Sequence, residues 1–310
     1  MAADRSVFDL NDLTHWSEVG TGVSPVARLA VIGDPVAHSK SPQMHNPGLA
    51  AAERNASYIR VHVPPGKVSE ALGLFGSNGF WGVNVTIPHK FEALAAVDFV
   101  DPLAAKLGAV NTVAFRANGL HGYNTDGPGF LKAVGESFGR EVKDLSVLIL
   151  GAGGGAGRAV AVQCALEGCP HLYLANRTQA KVDELAEELE RLGAQTAVNV
   201  VTWSDDALLG VLPKVDLIVN GSPVGMKEGD PALLPVAGLR GDQLFFDMAY
   251  RADGGVTSLG QSAALVSARY TDGAALLLHQ GALSYEHWFG EAAPIEAMRA
   301  GLSAAIGRPV

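Results

Sequence analysis

Cysteine is nearly absent from this chain, since Cys164 and Cys169 are the only two among its 310 residues. They stand five positions apart, and no second cysteine pair or histidine-rich stretch accompanies them to complete a four-ligand zinc site. We therefore expect no metal site, and we interpret both cysteines as packing residues in a reducing cytoplasm.

Positive charge and long apolar runs are also scarce. The 23 Lys and Arg residues are scattered and outnumbered by 32 Asp and Glu, which gives a net charge of −9 and no basic patch for a nucleic-acid backbone. No stretch is long enough to span a bilayer, and the acidic start MAADRSVFDLNDLTHW lacks the order of a signal peptide. We expect a cytoplasmic protein with neither a nucleic acid nor a membrane as partner.

Strand-length apolar runs alternate with helix-like stretches along most of the chain. The first part contains LAVIG (29–33), YIRVHV (58–63), VNVTI (83–87) and NTVAF (111–115), with helical patterns at 42–54 and 67–78. After Asp126 the order restarts with VLIL (147–150), LYLA (172–175), VDLIVN (215–220) and LFFDM (244–248). The segment 181–192 predicts a helix with one buried face made of Val182, Leu185, Leu189 and Leu192. With 48% hydrophobic residues, this pattern predicts two α/β domains with mostly parallel strands.

A glycine-rich turn follows the strand VLIL. In GAGGGAGRA, residues Gly151, Gly153 and Ala156 fit the pattern G-x-G-x-x-[GA] between a strand and a small-residue helix. Glycines there permit a tight turn and a close approach of a pyrophosphate to the amides at a helix N-terminus. We expect Gly151, Ala152, Gly153, Gly154 and Gly155 to bind a dinucleotide; the alternative is a purely structural turn.

The next strand ends in a cationic segment. An enzyme that prefers NAD usually has an Asp or Glu here for the ribose 2′-hydroxyl, but this chain has Asn176, Arg177, Thr178 and Lys181, and its first carboxylate is Asp183. The segment favours the 2′-phosphate of NADP, although it could also be a solvated basic helix start.

Residues 82–90, GVNVTIPHK, raise the question of what Lys90 does. Val83, Val85 and Ile87 alternate with Asn84 and Thr86, which predicts a strand with an apolar and a polar face that ends at Pro88. Lysine is normally exposed, so Lys90 is either a solvated charge or a group directed into a cleft.

Four polar segments lie near predicted strand ends: HSKSP (38–42), NVTIPHK (84–90), GAVNT (108–112) and YNTDG (123–127). Each alone could be a helix cap or a turn. Strand-end loops of neighbouring parallel strands meet at one edge of a sheet, so together these segments predict a cleft that faces the nucleotide.

With these motifs the sequence resembles the shikimate dehydrogenase family, over about residues 28–290. The shared motifs, in order, are GDPVAHSKSP, GVNVTIPHK, GAVNT, NTDG, GAGG, NRT, SPVGM (222–226), DMAY and DGAALLLHQ. The resemblance implies a substrate domain and a Rossmann-type NADP domain with the active site in the cleft between them, and reversible oxidation of shikimate to 3-dehydroshikimate. On this chain it implies an N-terminal extension (1–27), a substrate-binding domain (28–126, completed by 272–310) and an NADP-binding domain (127–271).

The resemblance also assigns roles to residues. Lys90 and Asp126 would form the catalytic pair, since the hydroxyl proton must leave as hydride passes to NADP⁺, and the sequence leaves open which of the two accepts it. The substrate set comprises Ser39 and Ser41 at the carboxylate, Asn84, Thr86, Asn111 and Gln280 at the ring hydroxyls, and Tyr250 closing the pocket. Met248 and Gly273 would line the nicotinamide.

The chain departs from the family pattern at three places. Its glycine loop is one residue longer than GAGG-x-x-R-A, and RADGGVTSLG replaces the Asn-Pro and Thr-Pro-Leu elements after Tyr250. HNPGL (45–49) places a proline where a helix should continue, which predicts a kink or a delayed start.

Two other functions stay open. One is a quinate or shikimate dehydrogenase that uses NAD, against which the NRT segment and the two serines of HSKSP argue. The other is a noncatalytic NADP-binding sensor, which would have little reason to keep both Lys90 and Asp126. The quaternary structure expected is a monomer or a homodimer.

Overall fold

The computed structural model describes residues 6–251 and 253–310, which divide into two compact units. One unit runs to Thr125 and resumes over Gln280–Val310, and the other is Asp126–His279. The second unit therefore includes Asp126 and residues 272–279, which the sequence assigns to the substrate domain.

The first unit is built on a six-stranded mixed sheet. Its strands are β1 Ala27–Gly33, β2 Ser57–His62, β3 Gly82–Val85, β4 Phe99–Val100, β5 Thr112–Arg116 and β6 Gly119–Tyr123. Its helices are α1 Leu10–Thr14, α2 Trp16–Val19, α3 Ser41–Ala51, α4 Val68–Ser77, α5 Lys90–Ala96 and α6 Pro102–Leu107. The strand order is β2-β1-β3-β5-β6-β4.

The second unit is built on a six-stranded sheet whose ladders are all parallel. Its strands are β7 Val147–Leu150, β8 His171–Ala175, β9 Ala197–Val201, β10 Leu217–Asn220, β11 Leu244–Asp247 and β12 Arg269–Thr271. Its helices are α7 Asp126–Phe138, α8 Gly155–Leu166, α9 Gln179–Arg191, α10 Asp205–Val211 and α11 Ser258–Leu265. The strand order β12-β11-β10-β7-β8-β9 is doubly wound, with its switch point between β7 and β10.

Two further helices complete the chain, α12 Gly273–Phe289 and α13 Ile295–Ile306. The predicted α/β class is confirmed. None of the helices among the described residues combines the length and apolar character that a membrane crossing requires.

Most strand pairs of the two sheets are parallel, as expected, but the first sheet contains one antiparallel strand. Strand β5 runs antiparallel to both β3 and β6. The two-residue turn Ala117–Asn118 reverses the chain between β5 and β6, and Gly119 takes the positive φ of +133° that follows it. Strand β6, GLHGY, is not evident in the sequence because its two glycines interrupt the apolar pattern.

Residues 6–26 pack on the first sheet. Phe8 forms a parallel bridge with Val61 of β2, and its backbone exchanges hydrogen bonds with Arg60 and His62. Phe8, Leu13 and Trp16 are buried in the core of this unit. This part of the predicted extension therefore covers the β2 edge of the sheet.

Three local expectations need correction. Strand β3 ends at Val85, both of its faces are buried, and Ile87 is 63% exposed because it lies beyond the ladder. Leu192 is also exposed, since α9 ends at Arg191. Helix α3 begins at Ser41 without delay and continues through Pro47.

Candidate active site

One edge of the first sheet collects polar side chains. Asn84 lies in β3 opposite Thr112, the first residue of β5, and Thr112 lies opposite Tyr123, the last residue of β6. Because β5 is antiparallel, its beginning rather than its end reaches this edge. The segments NVTIPHK, GAVNT and YNTDG therefore meet here, for a partly different reason than the one predicted.

Asn84 is buried and engaged by its neighbours. Its Oδ1 accepts a hydrogen bond of 2.7 Å from the Tyr58 hydroxyl. Its Nδ2 lies 2.9 Å from Ser284 Oγ and 3.1 Å from Thr112 Oγ1. The side chain is fixed in one orientation by three different elements, β2, β5 and α12.

Asn111 connects the β5 end of this edge to α12. Its Oδ1 accepts from the backbone amide of Thr125 at 2.8 Å, and its Nδ2 donates to Thr125 Oγ1 at 2.9 Å and to Gln280 Oε1 at 3.5 Å. Asn111 is 2% and Gln280 9% exposed, so this contact is buried in the first unit.

Ser39 and Ser41 flank the start of α3. Ser39 Oγ donates to Ser41 Oγ at 3.0 Å and accepts from the Ser41 amide at 3.3 Å. Ser41 also hydrogen-bonds to Tyr58; burial raises the pKa of Tyr58 well above its ordinary value, and the bond from Ser41 only partly opposes that shift. Through Tyr58 the serines join the hydrogen-bond series that contains Asn84.

Thr86 and Lys90 lie on the connection between β3 and α5. Both are half-buried, Thr86 donates its amide to the Ile32 carbonyl, and Lys90 begins α5. The Lys90 carbonyl accepts from Val110, which ties this connection to the segment before β5.

The predicted substrate and catalytic residues are thus distributed over both units. Ser39, Ser41, Asn84, Asn111 and Gln280 form one hydrogen-bonded series in the first unit, and Thr86 and Lys90 follow β3. Asp126, buried at the start of α7, and Tyr250, half-buried after β11, belong to the second unit.

Sequence reasoning missed four members of the series: Tyr58, Thr112, Thr125 and Ser284. Tyr58 and Ser284 stand singly among other residue types, while Thr112 and Thr125 lie within the quoted segments GAVNT and YNTDG but received no role. The available signal is that a polar side chain inside a buried strand or helix requires a hydrogen-bond partner.

The glycine turn of the second unit joins β7 to α8. Gly151 has φ +80°, and a Cβ on it would lie 2.8 Å from the Ser222 amide. The residue that lets the helix approach the turn is Gly157, where a Cβ would lie 2.4 Å from the Gly151 carbonyl oxygen. The third small residue of the G-x-G-x-x-[GA] pattern, which allows this approach, is therefore Gly157 and not Ala156. The shift of one position follows from the longer loop. Helix α8 begins at Gly155, so the amides of its first turn are available to a phosphate.

An open groove of about 660 Å³ lies beside this turn. Of the predicted cofactor residues it is lined by Gly151, Gly153, Gly154, Asn176, Arg177, Thr178 and Lys181. Ala152, Gly155, Met248 and Gly273 are outside its lining. The described lining residues include no carboxylate, and Arg177 and Lys181 are exposed. The glycine turn and the cationic rim fit a dinucleotide with a 2′-phosphate.

The opposite wall of the groove was not predicted. It contains Thr202, Trp203, Ser222, Pro223 and Leu233, and the Trp203 indole donates to the Leu233 carbonyl at 3.3 Å. The SPVGM motif marks part of this wall, while the TW pair after β9 carries no recognised pattern.

Both cysteines are buried free thiols. Burial raises the pKa of Cys169 to about 11 and that of Cys164 well above its ordinary value. Within the described part of the chain, no group of three or more His, Cys, Asp or Glu side chains is arranged to hold a metal ion.

Comparison with known proteins identifies related enzymes. Family models for the shikimate dehydrogenase substrate binding domain and the shikimate 5′-dehydrogenase C-terminal domain match residues 31–113 and 273–300. The NADP(+) shikimate dehydrogenase of Symbiobacterium thermophilum is 38% identical over 293 residues, which cover 93% of this chain and 98% of that protein.

Solved structures show the same likeness. The shikimate 5-dehydrogenase of Thermus thermophilus, in complex with NADP(H) and shikimate, has a TM-score of 0.79 and 33% identity, with 90% of this chain and 100% of that one covered. A quinate dehydrogenase of Corynebacterium glutamicum in complex with NAD also has a TM-score of 0.79, at 28% identity, with 89% and 98% covered. The resemblance drawn from the nine motifs is confirmed: the chain belongs to the shikimate dehydrogenase family.

Proposed function

We propose that this protein catalyses the reversible, NADP-dependent oxidation of shikimate to 3-dehydroshikimate. The observation that carries the proposal is the buried series of hydroxyl and amide side chains at one edge of the first unit, combined with the carboxylate-free cationic groove of the second. Hydroxyl and amide groups suit a small substrate that carries several hydroxyls and a carboxylate.

The first unit supplies the groups that bind the substrate. Ser39 and Ser41 direct hydroxyls to the carboxylate, while Thr86, Asn111 and Gln280 meet the ring hydroxyls. Asn84 is held by Tyr58, Thr112 and Ser284, so that its orientation is set before the substrate arrives. Such preorganisation keeps the reacting carbinol in one position.

Lys90 and Asp126 form the catalytic pair in this proposal, and Tyr250 closes the pocket. Bound NADP⁺ supplies the acceptor for the hydride that leaves the carbinol carbon. The hydroxyl proton leaves with it, and an amine or carboxylate within hydrogen-bond reach is the group that receives it. In the reverse direction the same pair returns the proton to the forming hydroxyl.

The second unit holds the cofactor. Amides of the glycine turn bind the pyrophosphate, Arg177, Thr178 and Lys181 bind the 2′-phosphate, and Met248 and Gly273 line the nicotinamide. The domain assignment of the proposal follows: the first unit is the substrate domain and Asp126–His279 the NADP domain.

The test is the formation of NADPH by the purified protein. We expect reduction of NADP⁺ with shikimate, and much lower kcat/KM with quinate or with NAD⁺. Higher kcat/KM with quinate and NAD⁺ would assign the protein to the quinate type, and tight NADPH binding without turnover of either acid would assign it to the sensor type.

The proposal places the enzyme in the cytoplasm as a monomer or homodimer. Two free, buried thiols suit a reducing compartment. Cell fractionation and light scattering at assay concentrations measure the two properties.

A further inference from the structure

Asp247 is a buried carboxyl group that the substrate and cofactor assignments leave unused. It is the last residue of β11 and is fully buried. Its Oδ1 accepts from the Ala249 amide at 2.9 Å and from Asn220 Nδ2 at 3.0 Å, and its Oδ2 accepts from Thr257 Oγ1 at 2.6 Å. Three donors around one buried carboxyl offset part of the cost of burying its charge.

The surroundings of Asp247 also accommodate its neutral form. Thr257 Oγ1 lies 2.9 Å from the Tyr270 hydroxyl, and either oxygen can be the donor of that bond. When Asp247 is ionised, Thr257 donates to Oδ2. When Asp247 is protonated, Oδ2 donates to Thr257, and Thr257 donates to Tyr270. Both forms keep the Asp247–Thr257 and Thr257–Tyr270 hydrogen bonds, with their directions reversed, so the carboxyl can gain or lose its proton without losing either contact.

The balance between these forms lies near neutral pH. Burial raises the pKa of Asp247 to about 7, although hydrogen bonds from Thr257, Ala249 and Asn220 lower it. The titratable groups that face it are Asp272, just before α12, whose negative charge raises the pKa further, and Tyr270 of β12 at the end of the hydroxyl chain.

The topology places Asp247 at the nicotinamide half of the dinucleotide. In a doubly wound sheet the dinucleotide lies across the switch point, here between β7 and β10, over the carboxyl ends of the strands. Arg177 and Lys181 mark the adenosine half beyond β8. The other half therefore lies over β10 and β11, which end in Asn220 and Asp247.

The same carboxyl organises the backbone at that end. Asn220, bonded to Asp247, accepts from the Ser222 amide at 3.0 Å and donates to the Val224 carbonyl at 2.9 Å. The Ala249 carbonyl accepts from Gly273, where a Cβ would lie 2.3 Å from the Met248 carbonyl oxygen. Asp247 thus connects the turn after β10 to the turn after β11 through its bonds to Asn220 and Ala249.

We propose that Asp247 is a positioning residue whose ionised carboxylate favours the oxidised, cationic nicotinamide over the reduced, neutral one. The proposal rests on the proposed function for the identity of the cofactor. Its physical basis is that the two redox forms of the cofactor differ by one positive charge, which is attracted to a buried negative charge in a medium of low dielectric constant.

The experiment measures the dissociation constants of NADP⁺ and NADPH between about pH 6 and about pH 8. Trp203 is the only tryptophan of the second unit and lines the groove, so its fluorescence reports binding without turnover. The ratio of the two constants cancels the titration of the 2′-phosphate, which both forms carry.

In wild type we expect the ratio of Kd for NADP⁺ to Kd for NADPH to fall on the order of tenfold as pH rises through the titration of Asp247. In Asp247→Asn the ratio should stay at its low-pH value throughout. Asp216→Asn is the matched control. The Asp216 carboxylate also accepts from a backbone amide, that of Ser146, but it directly precedes β10 and so lies at the amino ends of the strands, away from Asp247. This variant should behave as wild type.

A pH-independent ratio in wild type, or an unchanged pH dependence in Asp247→Asn, would overturn the proposal. If Asp247→Asn does not fold, Thr257→Val and Thr257→Ser decide: the valine removes the donor of the ionised form and should move the midpoint to higher pH, and the serine should not. An unmoved midpoint in the valine variant overturns it equally. Absence of shikimate turnover would refute the proposed function but not this binding behaviour.

Discussion

At the scale of single residues, the polar edge of the first sheet contains two kinds of side chain. Some are buried and bonded within the protein, and others have an exposed part. Nδ2 of Asn84 has two hydrogens but three acceptors within reach, the Asn111 carbonyl, Thr112 Oγ1 and Ser284 Oγ. Its two amide hydrogens are therefore used inside the protein, while Oδ1, which accepts from Tyr58, keeps a second lone pair. Ser39, Thr86 and Lys90 are half-buried. Of this second group, Lys90 is the proposed proton-transfer residue and should contribute directly to turnover.

Lys90→Ala should lower kcat at least about 10²-fold, with a smaller change in the KM for shikimate, because a positioned proton-transfer group is lost. Steady-state kinetics with saturating NADP⁺ measure both values. Lys106→Ala is the matched control, since Lys106 is an exposed lysine in the last turn of α6. Turnover close to wild type in Lys90→Ala, with NADPH binding intact, would remove Lys90 from the catalytic pair.

Arg177→Ala should abolish most of the preference for NADP over NAD. The guanidinium is exposed on the groove, and a charge-assisted bond to a phosphate is worth about 1.5 to 3 kcal/mol before solvent reduces it. In wild type we expect kcat/KM to be roughly 10- to 1,000-fold higher with NADP⁺ than with NAD⁺, mainly because the KM for NADP⁺ is lower. The decrease in this preference caused by Arg177→Ala should become smaller as salt is added. The measurement is kcat/KM for both cofactors at two ionic strengths. A variant that keeps the full preference would place the 2′-phosphate elsewhere.

At the scale of elements, α3 shows how a helix tolerates an internal proline. Pro47 has no amide hydrogen, so the Gln43 carbonyl loses its helical donor. Helix α13 packs on α3 at this place, and a Cβ on Gly301 would lie 2.4 Å from the Gln43 oxygen and 2.6 Å from the Pro47 ring. Only a glycine on α13 leaves room for that carbonyl and ring.

Gly301→Ala should therefore destabilise the first unit by about 1 to 3 kcal/mol, because backbone and a rigid ring must move to admit the methyl group. Gly73→Ala is the matched control: Gly73 lies in α4, and nothing stands within 4 Å of its Cβ position. It should stabilise by about 0.5 to 1 kcal/mol, as alanine does inside a helix. Urea unfolding of the two variants gives the comparison, and equal stabilities would contradict it.

The sequence predicts elements well where the pattern is local. Val182, Leu185 and Leu189 predict the buried face of α9, and the apolar runs of the second unit predict its parallel strands within a few residues. The direction of β5 relative to β6 depends on a turn of two residues. The exposure of Ile87 depends on the residue at which β3 ends. The role of Gly157 depends on a loop one residue longer than the family pattern. Such features follow from contacts between distant segments, which periodicity does not contain.

The sequence predicts residues of the candidate site whose chemical type is unusual at their position, but not residues that matter because of their hydrogen-bond partners. Lys90, Ser39 and Arg177 stand out because polar or charged groups interrupt strand ends. Thr112, Thr125 and Ser284 do not, since a hydroxyl next to more prominent polar residues, or alone in a helix, has many explanations until its partners are known. Asp247 lies within a quoted motif, but its three donors come from residues 220, 249 and 257.

At the scale of the whole molecule, each unit buries one group, His45 or Asp247, whose shifted pKa affects stability between about pH 5 and about pH 8. In the first unit, burial lowers the pKa of His45 from 6.5 to about 3; its ring stacks on Tyr58 with centroids 4.4 Å apart, and neither ring nitrogen has a hydrogen-bond partner among the residues that the structure describes. In the second unit, burial raises the pKa of Asp247 from 3.8 to about 7. Both groups therefore hold their neutral forms more strongly in the folded chain than in the unfolded chain.

The two shifts affect stability in opposite directions. The unfolded chain protonates His45 below pH 6.5 while the folded chain resists, so the first unit loses about 2 kcal/mol of unfolding free energy by pH 5. The unfolded chain ionises Asp247 above pH 3.8 while the folded chain resists until about pH 7. The second unit therefore loses roughly 2 to 3 kcal/mol between about pH 5 and about pH 8.

We therefore expect acidification from pH 7 to pH 5 to weaken the first unit and to strengthen the second, which a probe of the whole chain would average. Tryptophan separates them, because Trp16, Trp81 and Trp288 lie in the first unit and Trp203 alone in the second. A Trp203→Phe variant reports the first unit, and a variant with the other three replaced by phenylalanine reports the second. Urea midpoints should move down from pH 7 to pH 5 in the first variant and up in the second, as His45 and Asp247 require. Adding His45→Asn or Asp247→Asn should flatten the corresponding trend. Midpoints that move together in both reporters, and stay unchanged by these substitutions, would show that other groups control the pH dependence.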